Sequence, residues 1–186
     1  MATLIYVTNV SLDGYIEDAR GAFDWAPPPD DVFAAYIDLL RSAGTFLYGR
    51  RLYETMAVWE TNPALAEQTD LTAAFANAWQ AADKVVYSTT LTAVSTARTR
   101  LEHHFDPDAV EHLKAATTSN LTIGGANLAA QAFEAGLVDE CRLFVWPMIL
   151  GGGKPALPPG IRTDLELLGE HRFEDGVVHL RYRVST

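Results

Sequence analysis

The distribution of hydrophobic and polar residues from Leu4 to Asp139 predicts strands and helices in alternation. Short apolar runs are followed by longer segments whose apolar residues recur at helical spacing, as in Asp30–Ser42, which Gly44 closes. The predicted strands are Leu4–Val10, Thr45–Tyr48, Lys84–Ser88 and Leu121–Ile123. The predicted helices are Asp30–Ser42, Arg50–Met56, Leu71–Ala81, Ala109–Thr117 and Asn127–Ala135.

After Asp139 the pattern predicts strands only. They are Cys141–Ile149, Leu165–Arg172 and Val177–Val184, and the Asp175-Gly176 pair suits a tight hairpin turn between the last two. We expect Cys141–Ile149 to be a central, buried strand. Alternating strands and helices followed by strands alone predict an α/β fold. Its sheet is mostly parallel with antiparallel C-terminal strands, and helices cover both faces.

Composition and charge narrow the class of protein. The chain has 186 residues, 48% hydrophobic and 20% charged, which predicts one globular domain spanning residues 1–186. No apolar run approaches the roughly 20 residues of a membrane helix. A net charge of −10 opposes binding to nucleic acid or to an anionic membrane, whose phosphates it would repel. Cys141 is the only cysteine, so we expect no disulfide, no metal site and a cytoplasmic location.

Two arginines open a helix directly after a predicted strand. Gly49 follows the strand, and Arg50 and Arg51 begin the helix. Cations at a helix N-terminus oppose the helix dipole by about 0.3–1 kcal/mol each. The pair is favourable if an anion binds there, to the arginines and to the free backbone N–H groups. Alternatively, both side chains point into solvent at small cost.

Two further strand ends carry related signals. Ser88–Thr90 ends a buried strand in hydroxyls, and open α/β sheets bind ligands at this end of their strands. A hydroxyl-rich turn is the alternative. The stretch LTIGGANLAAQAF places Gly124-Gly125 where a strand gives way to a helix, either as a tight turn or to let an anion approach the backbone. Together the three junctions favour one extended nucleotide that spans them.

The order of motifs along the chain resembles the dihydrofolate reductase superfamily. More specifically, it resembles the small proteins that are similar to the C-terminal reductase domain of the bifunctional riboflavin enzyme. The matching segments are VSLDGYI, FDW, YGRRLYE, KVVYSTTL, LTIGGANLAAQAF, GLVDECRL and PMILGGGKP. They cover nearly the whole chain in the order of the family. The resemblance implies a three-layer dihydrofolate reductase-like fold, NADPH as cofactor, a small-molecule substrate and a homodimer.

The resemblance also implies which residues contact the cofactor. The Gly-Arg turn would bind phosphate, the strand end at Ser88 would hold the adenosine ribose and its 2′-phosphate, and the Gly-Gly turn would receive the pyrophosphate. The implied set is Val7, Thr8, Gly49, Arg50, Arg51, Ser88, Thr89, Gly124, Gly125, Ala126 and Asn127. We add Arg98 as a candidate clamp for the 2′-phosphate, because the planar guanidinium binds phosphate oxygens in pairs.

The substrate side of the site centres on Trp25 and Asp30. In folate reductases a tryptophan is followed five residues later by the acid that binds the pterin, and Asp30 follows Trp25 at this spacing. We therefore expect both to be catalytic, with Asp30 partly desolvated against Trp25, binding a ring nitrogen and aiding its protonation. The alternative role of Asp30 is that of a helix N-cap. Val7 and Thr8 would lie along the nicotinamide, beside a mobile loop that Ser11–Tyr15 opens.

Three functions are compatible with these residues. The first is NADPH-dependent reduction of a small heterocyclic or imine-like substrate, resembling the 5-amino-6-(5-phosphoribosylamino)uracil reductase of riboflavin biosynthesis. The second is dihydrofolate reduction, although Val145-Trp146-Pro147 stands where folate reductases place a threonine bonded to the acid. The third is a nucleotide-binding module that has lost catalysis. We expect the first, because the Trp25–Asp30 pair accompanies an intact cofactor set.

Overall fold

The computed structural model describes residues 1–185, and its elements alternate as predicted. The strands are β1 (Leu4–Ser11), β2 (Tyr15–Glu17), β3 (Ala43–Gly49), β4 (Asp83–Tyr87), β5 (Thr99–Glu102), β6 (Asn120–Gly124), β7 (Glu140–Trp146), β8 (Lys154–Pro155), β9 (Leu165–Arg172) and β10 (Val178–Val184). The helices are α1 (Asp30–Arg41), α2 (Arg50–Met56), α3 (Val58–Thr61), α4 (Pro63–Ala66), α5 (Asp70–Ala81), α6 (Pro107–Ala116) and α7 (Ala126–Glu134).

Eight of the strands form one sheet in the order β5-β4-β3-β6-β1-β7-β10-β9. Neighbours from β5 to β7 are parallel, whereas β10 is antiparallel to both β7 and β9. The predicted mostly parallel sheet with antiparallel C-terminal strands is therefore confirmed. Because β1, β3, β4 and β6 are parallel to one another, their C-terminal ends lie at the same side of the sheet, which we call the carboxyl edge.

Helices cover both faces of the sheet, as the three-layer fold requires. On one face, α1 and α5 pack on β3 and β4 around Phe46 and Trp79, which are both fully buried. On the other face, α6 and α7 pack on β1 and β6 around Tyr6 and Leu121. A third buried cluster joins α1 to the end of β7 and to the β9–β10 hairpin. Within residues 1–185, no helix is long and apolar enough to cross a membrane.

Strand β7 is central, as predicted, because it pairs with β1 on one side and with β10 on the other. It ends at Trp146 rather than at Ile149, since Pro147 has no N–H to donate to a neighbouring strand. Strands β2, β5 and β8 and helices α3 and α4 are absent from the prediction. They are only two to four residues long, too short for a hydrophobic period to appear.

Candidate active site

Strand β1 continues past its neighbour β6 at the carboxyl edge and leaves a gap. β6 pairs with β1 only as far as Tyr6, opposite Ile123. β7 pairs with β1 as far as Ser11, opposite Trp146. The side of β1 that faces β6 therefore has no strand partner from Val7 onward, and such an edge offers N–H and C=O groups to another molecule. We call the gap between β1, the end of β6 and the start of α7 the carboxyl-edge notch.

The two glycines at the end of β6 are needed for different reasons. A Cβ on Gly124 would lie 2.3 Å from Leu52 Cδ2, so this glycine lets α2 pack closely against the strand end. Gly125 has a φ of +93°, which side chains other than glycine rarely adopt. A Cβ on Gly125 would meet nothing closer than Gly49 N at 3.9 Å. Packing thus explains the first glycine, and an open turn beside the notch explains the second.

Helix α7 begins at the notch with unused backbone donors. The Gly125 carbonyl accepts hydrogen bonds from Leu128 and Ala129 at 3.1 and 2.9 Å. No hydrogen bond among residues 1–185 uses the N–H groups of Ala126 or Asn127. The first N–H groups of a helix carry its partial positive charge and suit a phosphate group. The four predicted residues from Gly124 to Asn127 therefore lie together at a site that can receive an anion.

Arg51 is held in an ion pair. Its Nη1 lies 2.7 Å from Glu17 Oε2, and its Nη2 donates to the Gly21 carbonyl at 3.1 Å. Glu17 is 8% exposed in its side chain and also pairs with Lys154, which belongs to the neighbouring strand β8. Arg51 therefore connects α2 to the small β2–β8 sheet, and binding it to a phosphate would leave a buried carboxylate short of one partner.

Arg50 is held more loosely than Arg51. Its Nε lies 3.5 Å from Glu54 Oε1, its Nη1 donates to Thr90 Oγ1 at 3.0 Å, and 46% of its side chain is exposed. Thr90 follows the end of β4, so the structure brings Arg50 and the predicted hydroxyl turn together. Of the two adjacent arginines, Arg50 is the one that can accept an anion without breaking a buried ion pair.

The hydroxyl turn after β4 is partly occupied by its own backbone. Ser88 is buried, and its Oγ accepts hydrogen bonds from the N–H groups of Thr90 and Leu91 at 3.2 and 2.9 Å. The Ser88 carbonyl lies 3.0 Å from His103 Nδ1. Thr89 and Thr90 are exposed. Ser88 therefore shapes the turn, and the hydroxyls available to a ligand beside Arg50 are those of Thr89 and Thr90.

Arg98 lies at the N-terminal ends of the strands, opposite the carboxyl edge. This position corrects its predicted role as a phosphate clamp. Its carbonyl accepts the N–H of Lys84 at the start of β4, and its Nη2 lies 2.9 Å from Asp83 Oδ1. β4 has five residues, so at about 3.3 Å per residue Asp83 and Ser88 are roughly 16 Å apart. Arg98 is therefore far from the carboxyl edge, although it is only ten residues from Ser88 in the sequence.

Val7 and Thr8 lie where β1 outruns β6, but on opposite faces of the sheet, because successive strand side chains alternate. Val7 packs against the same buried cluster as Trp25 and Tyr36, on the face that α1 covers. Thr8 points to the α7 face, and its Oγ1 donates to the Asn9 carbonyl at 3.0 Å. Only Val7 therefore shares a face with the predicted substrate residues.

Asp30 is exposed, so its carboxyl is not desolvated against Trp25 as expected. It is also not the N-cap: Pro29 holds that position, and Asp30 is the first residue of α1. Trp25 is half-buried, with its ring edge-to-face against Trp146 at 6.3 Å between centroids. Its Nε1 is buried and has no hydrogen-bond partner among residues 1–185. Trp25 thus forms an aromatic wall with one unsatisfied donor.

A polar cluster that the sequence analysis missed lies at the end of β1. Asn9 Oδ1 accepts hydrogen bonds from Tyr36 Oη at 2.5 Å and from Trp146 Nε1 at 3.2 Å. An indole N–H can only donate a hydrogen bond, so the Asn9 amide atom that faces Trp146 Nε1 is the oxygen and not the nitrogen. No hydrogen bond among residues 1–185 uses Asn9 Nδ2. Burial raises the pKa of Tyr36, so its hydroxyl stays protonated. The available signal was the single amide side chain in a strand whose other residues are apolar or carry hydroxyls.

Asp13 fixes the segment after β1 to the loop that contains Gly151, Gly152 and Gly153. Asp13 Oδ1 accepts hydrogen bonds from Ser11 Oγ at 2.6 Å and from Leu150 N at 3.0 Å, and Oδ2 accepts one from Gly151 N at 2.7 Å. These bonds, that from Ser11 first, lower the pKa of Asp13. The predicted loop over the site is therefore anchored through one exposed carboxylate.

The sheet order and the carboxyl-edge notch define an α/β protein of dihydrofolate reductase-like architecture. Residues 2–179 match the family model of the RibD C-terminal domain. The chain belongs to this family, which is a riboflavin-pathway reductase family. The predicted family resemblance is thereby confirmed.

Individual relatives agree with this placement. The chain is 29% identical over 175 residues to the uncharacterized protein YyaP of Bacillus subtilis (strain 168), covering 93% of this chain and 90% of that protein. A candidate riboflavin biosynthesis protein from Shewanella sp. PV-4 shares the fold with a TM-score of 0.77 at 22% identity, covering all of both chains. A Thermotoga maritima diaminohydroxyphosphoribosylaminopyrimidine deaminase/5-amino-6-(5-phosphoribosylamino)uracil reductase gives a TM-score of 0.65 at 13% identity, covering 99% of this chain and 57% of that one.

Proposed function

We propose that the protein is an NADPH-dependent reductase that transfers a hydride to a small heterocyclic or imine-like substrate. The observation that carries the proposal is the carboxyl-edge notch, where an unpaired strand edge meets the start of α7. Strands β1, β6, β3 and β4 are consecutive in the sheet. At about 4.8 Å per strand, the line from the notch to Ser88 is roughly 14 Å long, which suits an extended ligand.

The residues along this line fit the parts of the cofactor. The free edge of β1 after Val7 can bind the nicotinamide carboxamide, and the N–H groups of Ala126 and Asn127 can bind the pyrophosphate. Arg50, with the hydroxyls of Thr89 and Thr90, can bind the 2′-phosphate. When bound, NADPH supplies the hydride. The open position beside Gly125, where an added Cβ meets no atom within 3.9 Å, supports this fit.

The substrate would lie between β1 and the aromatic residues of the α1 face. Trp25 and Trp146 provide apolar walls for a flat ring, and Asn9 Nδ2 offers donors to a ring carbonyl. Hydride addition to the carbon of a C=N bond leaves an electron pair on nitrogen, which then takes a proton. Asp30, exposed on the first turn of α1, is our candidate for passing that proton from solvent.

Substrate choice is tested by mixing the protein with NADPH and one of two compounds, 5-amino-6-(5-phosphoribosylamino)uracil or dihydrofolate. We expect NADPH oxidation, followed at its nicotinamide absorbance, with the pyrimidine. Oxidation with dihydrofolate alone would favour the folate function instead. Tight NADPH binding without reduction of any pyrimidine or imine would leave only a nucleotide-binding module. Asp30→Asn should lower turnover while cofactor affinity stays nearly constant.

The preference for NADPH over NADH is tested on two arginines, Arg50 and Arg98. A charge-assisted hydrogen bond contributes roughly 1.5–3 kcal/mol, so Arg50→Ala should weaken NADPH binding about 10- to 150-fold. NADH lacks the 2′-phosphate and should be affected far less. Arg98→Ala is the matched control, because this arginine is paired with a carboxylate at the opposite edge and should change neither dissociation constant. Equal losses of NADPH and NADH in Arg50→Ala would move Arg50 to the pyrophosphate.

A homodimer is also proposed, through the face of the β9–β10 hairpin that is turned toward α7. Leu165 and Leu167 are 40% and 51% exposed there, and they pair in register with Val184 and Tyr182. A second copy of the chain would cover this apolar surface. Sedimentation equilibrium should give a dimer mass for the native chain and a monomer mass for Leu167→Glu. A native monomer at all concentrations would contradict the proposal.

A further inference from the structure

Two arginines lie side by side on the sheet face that α1 covers, away from the carboxyl edge. Arg142 on β7 is in register with Arg181 on β10. Both donate through Nε to the same atom, Glu140 Oε1, at 2.7 and 3.2 Å. Like charges directly across a sheet repel each other, and one carboxylate neutralises only one of the two. No hydrogen bond among residues 1–185 uses their terminal Nη groups.

His179 lies beside this pair with an unsatisfied nitrogen. Its ring is stacked on Phe144, with 4.2 Å between centroids and 2° between planes. Its Nε2 is buried and has no hydrogen-bond partner among residues 1–185. A buried polar atom without a partner is destabilising unless a ligand or water meets it. The stacking fixes the ring, so the position of Nε2 is set before any ligand arrives.

A cavity of about 340 Å³ opens over these groups. It is lined on the sheet side by Arg142, Arg181, His171 and His179, and on the α1 side by residues that include Asp38 and Ser42. Its volume is at the lower end of the range for small-molecule sites, about 300–1,000 Å³, and far above that of one water. The cavity is therefore large enough for a small organic ligand.

We propose that this cavity is a second binding site, for a small organic oxyanion such as a carboxylate or a phosphate monoester. The free Nη groups of Arg142 and Arg181 would bind its oxygens, and His179 Nε2 would complete the contact. Arg142 precedes Trp146 by four residues on β7, so at about 3.3 Å per residue it lies roughly 13 Å from the carboxyl edge. The site is thus separate from the proposed NADPH site and does not depend on it.

The charges around the cavity are of both signs, but the acidic residues at its lining are exposed, whereas the Arg142 side chain is only 14% exposed. Arg142, Arg181 and His171 face His179, opposed by Glu140 below them and by Asp38 and Glu170 at the lining. The Asp38 side chain is 82% exposed and lies 3.9 Å from Arg41. Burial first, and then Arg142, Arg181 and His171, lower the pKa of His179 to about 4. A bound anion would offset these cations and raise that pKa.

The test is a proton NMR titration of His179 at constant ionic strength, in which chloride is replaced by inorganic phosphate or by trifluoroacetate, a carboxylate that stays ionised at pH 4. We expect one of the anions, or both, to raise the pKa of His179, and the stronger of the two identifies the oxyanion. Arg142→Gln should weaken that anion at least tenfold, the loss of one charge-assisted bond. Arg181→Gln, at a more exposed position, repeats the test if Arg142→Gln does not fold.

Arg183→Gln is the matched control, because Arg183 lies on the same strand but pairs with Glu166. It should leave the anion affinity unchanged. The proposal would be overturned if neither anion changed the pKa of His179, or if Arg183→Gln lost as much anion affinity as Arg142→Gln. NADPH affinity, measured without added phosphate, should be the same for Arg142→Gln as for the native chain, because the two sites are separate.

Discussion

The parallel strands β3, β4 and β6 and the antiparallel β9–β10 hairpin differ in how they are covered. Phe46 on β3 is 0% exposed, and its neighbours are buried on both faces of the sheet. On the hairpin, Leu167 is 51% exposed and Arg183 is 59% exposed in its side chain. Strands covered on both faces can meet a ligand only at their ends, whereas the hairpin can use a whole face. Accordingly, the proposed NADPH site lies at the ends of the parallel strands, and the proposed anion site lies on a face of the sheet that β10 helps to form.

The largest expected difference between the two regions is in stability. Phe46→Ala should lower the free energy of unfolding by about 3–5 kcal/mol, because it leaves a cavity between the sheet and α5. Leu167→Ala, measured at low protein concentration, should change it by less than about 0.5 kcal/mol. Urea unfolding followed by circular dichroism measures both. Similar losses would show that the hairpin is packed as tightly as the parallel strands.

Two glycines sharpen the comparison. Gly124→Ala should lower the free energy of unfolding by about 1–3 kcal/mol, because the added Cβ would lie 2.3 Å from Leu52 Cδ2 and α2 would have to move. Gly169→Ala on β9 is the control, since an added Cβ there meets no atom within 4 Å. Leu52→Ala in the same chain should recover part of the loss. If it recovers nothing, the role of Gly124 is not the packing of α2.

The pH dependence of stability should come from the hairpin. The pKa of His179 is lowered from 6.5 to about 4 in the folded state, chiefly by burial. The unfolded chain therefore binds the extra proton first, and stability falls as pH drops from about 6.5 toward 4. After screening, we expect a loss of about 1–2 kcal/mol. Thermal unfolding of His179→Gln should lack this loss, whereas the exposed His112→Gln should retain it.

The smallest effect is expected at Asp13. Its pKa is lowered by the hydrogen bonds from Ser11, Leu150 and Gly151. The stabilisation is therefore present above its ordinary value of 3.8 and is lost as pH falls through the lowered pKa. Asp13→Asn should release the loop at neutral pH, with little change in global unfolding. Faster proteolysis between Ser11 and Tyr15 is the readout, and an unchanged rate would mean that Asp13 does not anchor the loop.

Much of the fold could be predicted because it rests on local patterns. Helix α1 and strand β9 begin where the apolar spacing placed them, and Gly125 adopts the left-handed turn that a strand-to-helix junction invites. Strand β5 was missed because TRLE at a sheet edge alternates half-buried and exposed positions without an apolar run. The Asn9 cluster was missed because its partners come from α1 and β7, far away in the sequence.

The sequence by itself determined the longer helices and strands, their order along the chain and the glycine and hydroxyl residues that end the strands, since burial periodicity and turn chemistry act over a few residues. Only the tertiary structure decided which of these residues meet. It gave Arg51, but not Arg50, an ion pair with Glu17, which is distant in the sequence. It also placed Arg98 at the N-terminal ends of the strands, away from the proposed cofactor site. Ion pairs and strand neighbours depend on contacts between segments that are far apart in the sequence, so the spacing of residues within one segment cannot predict them.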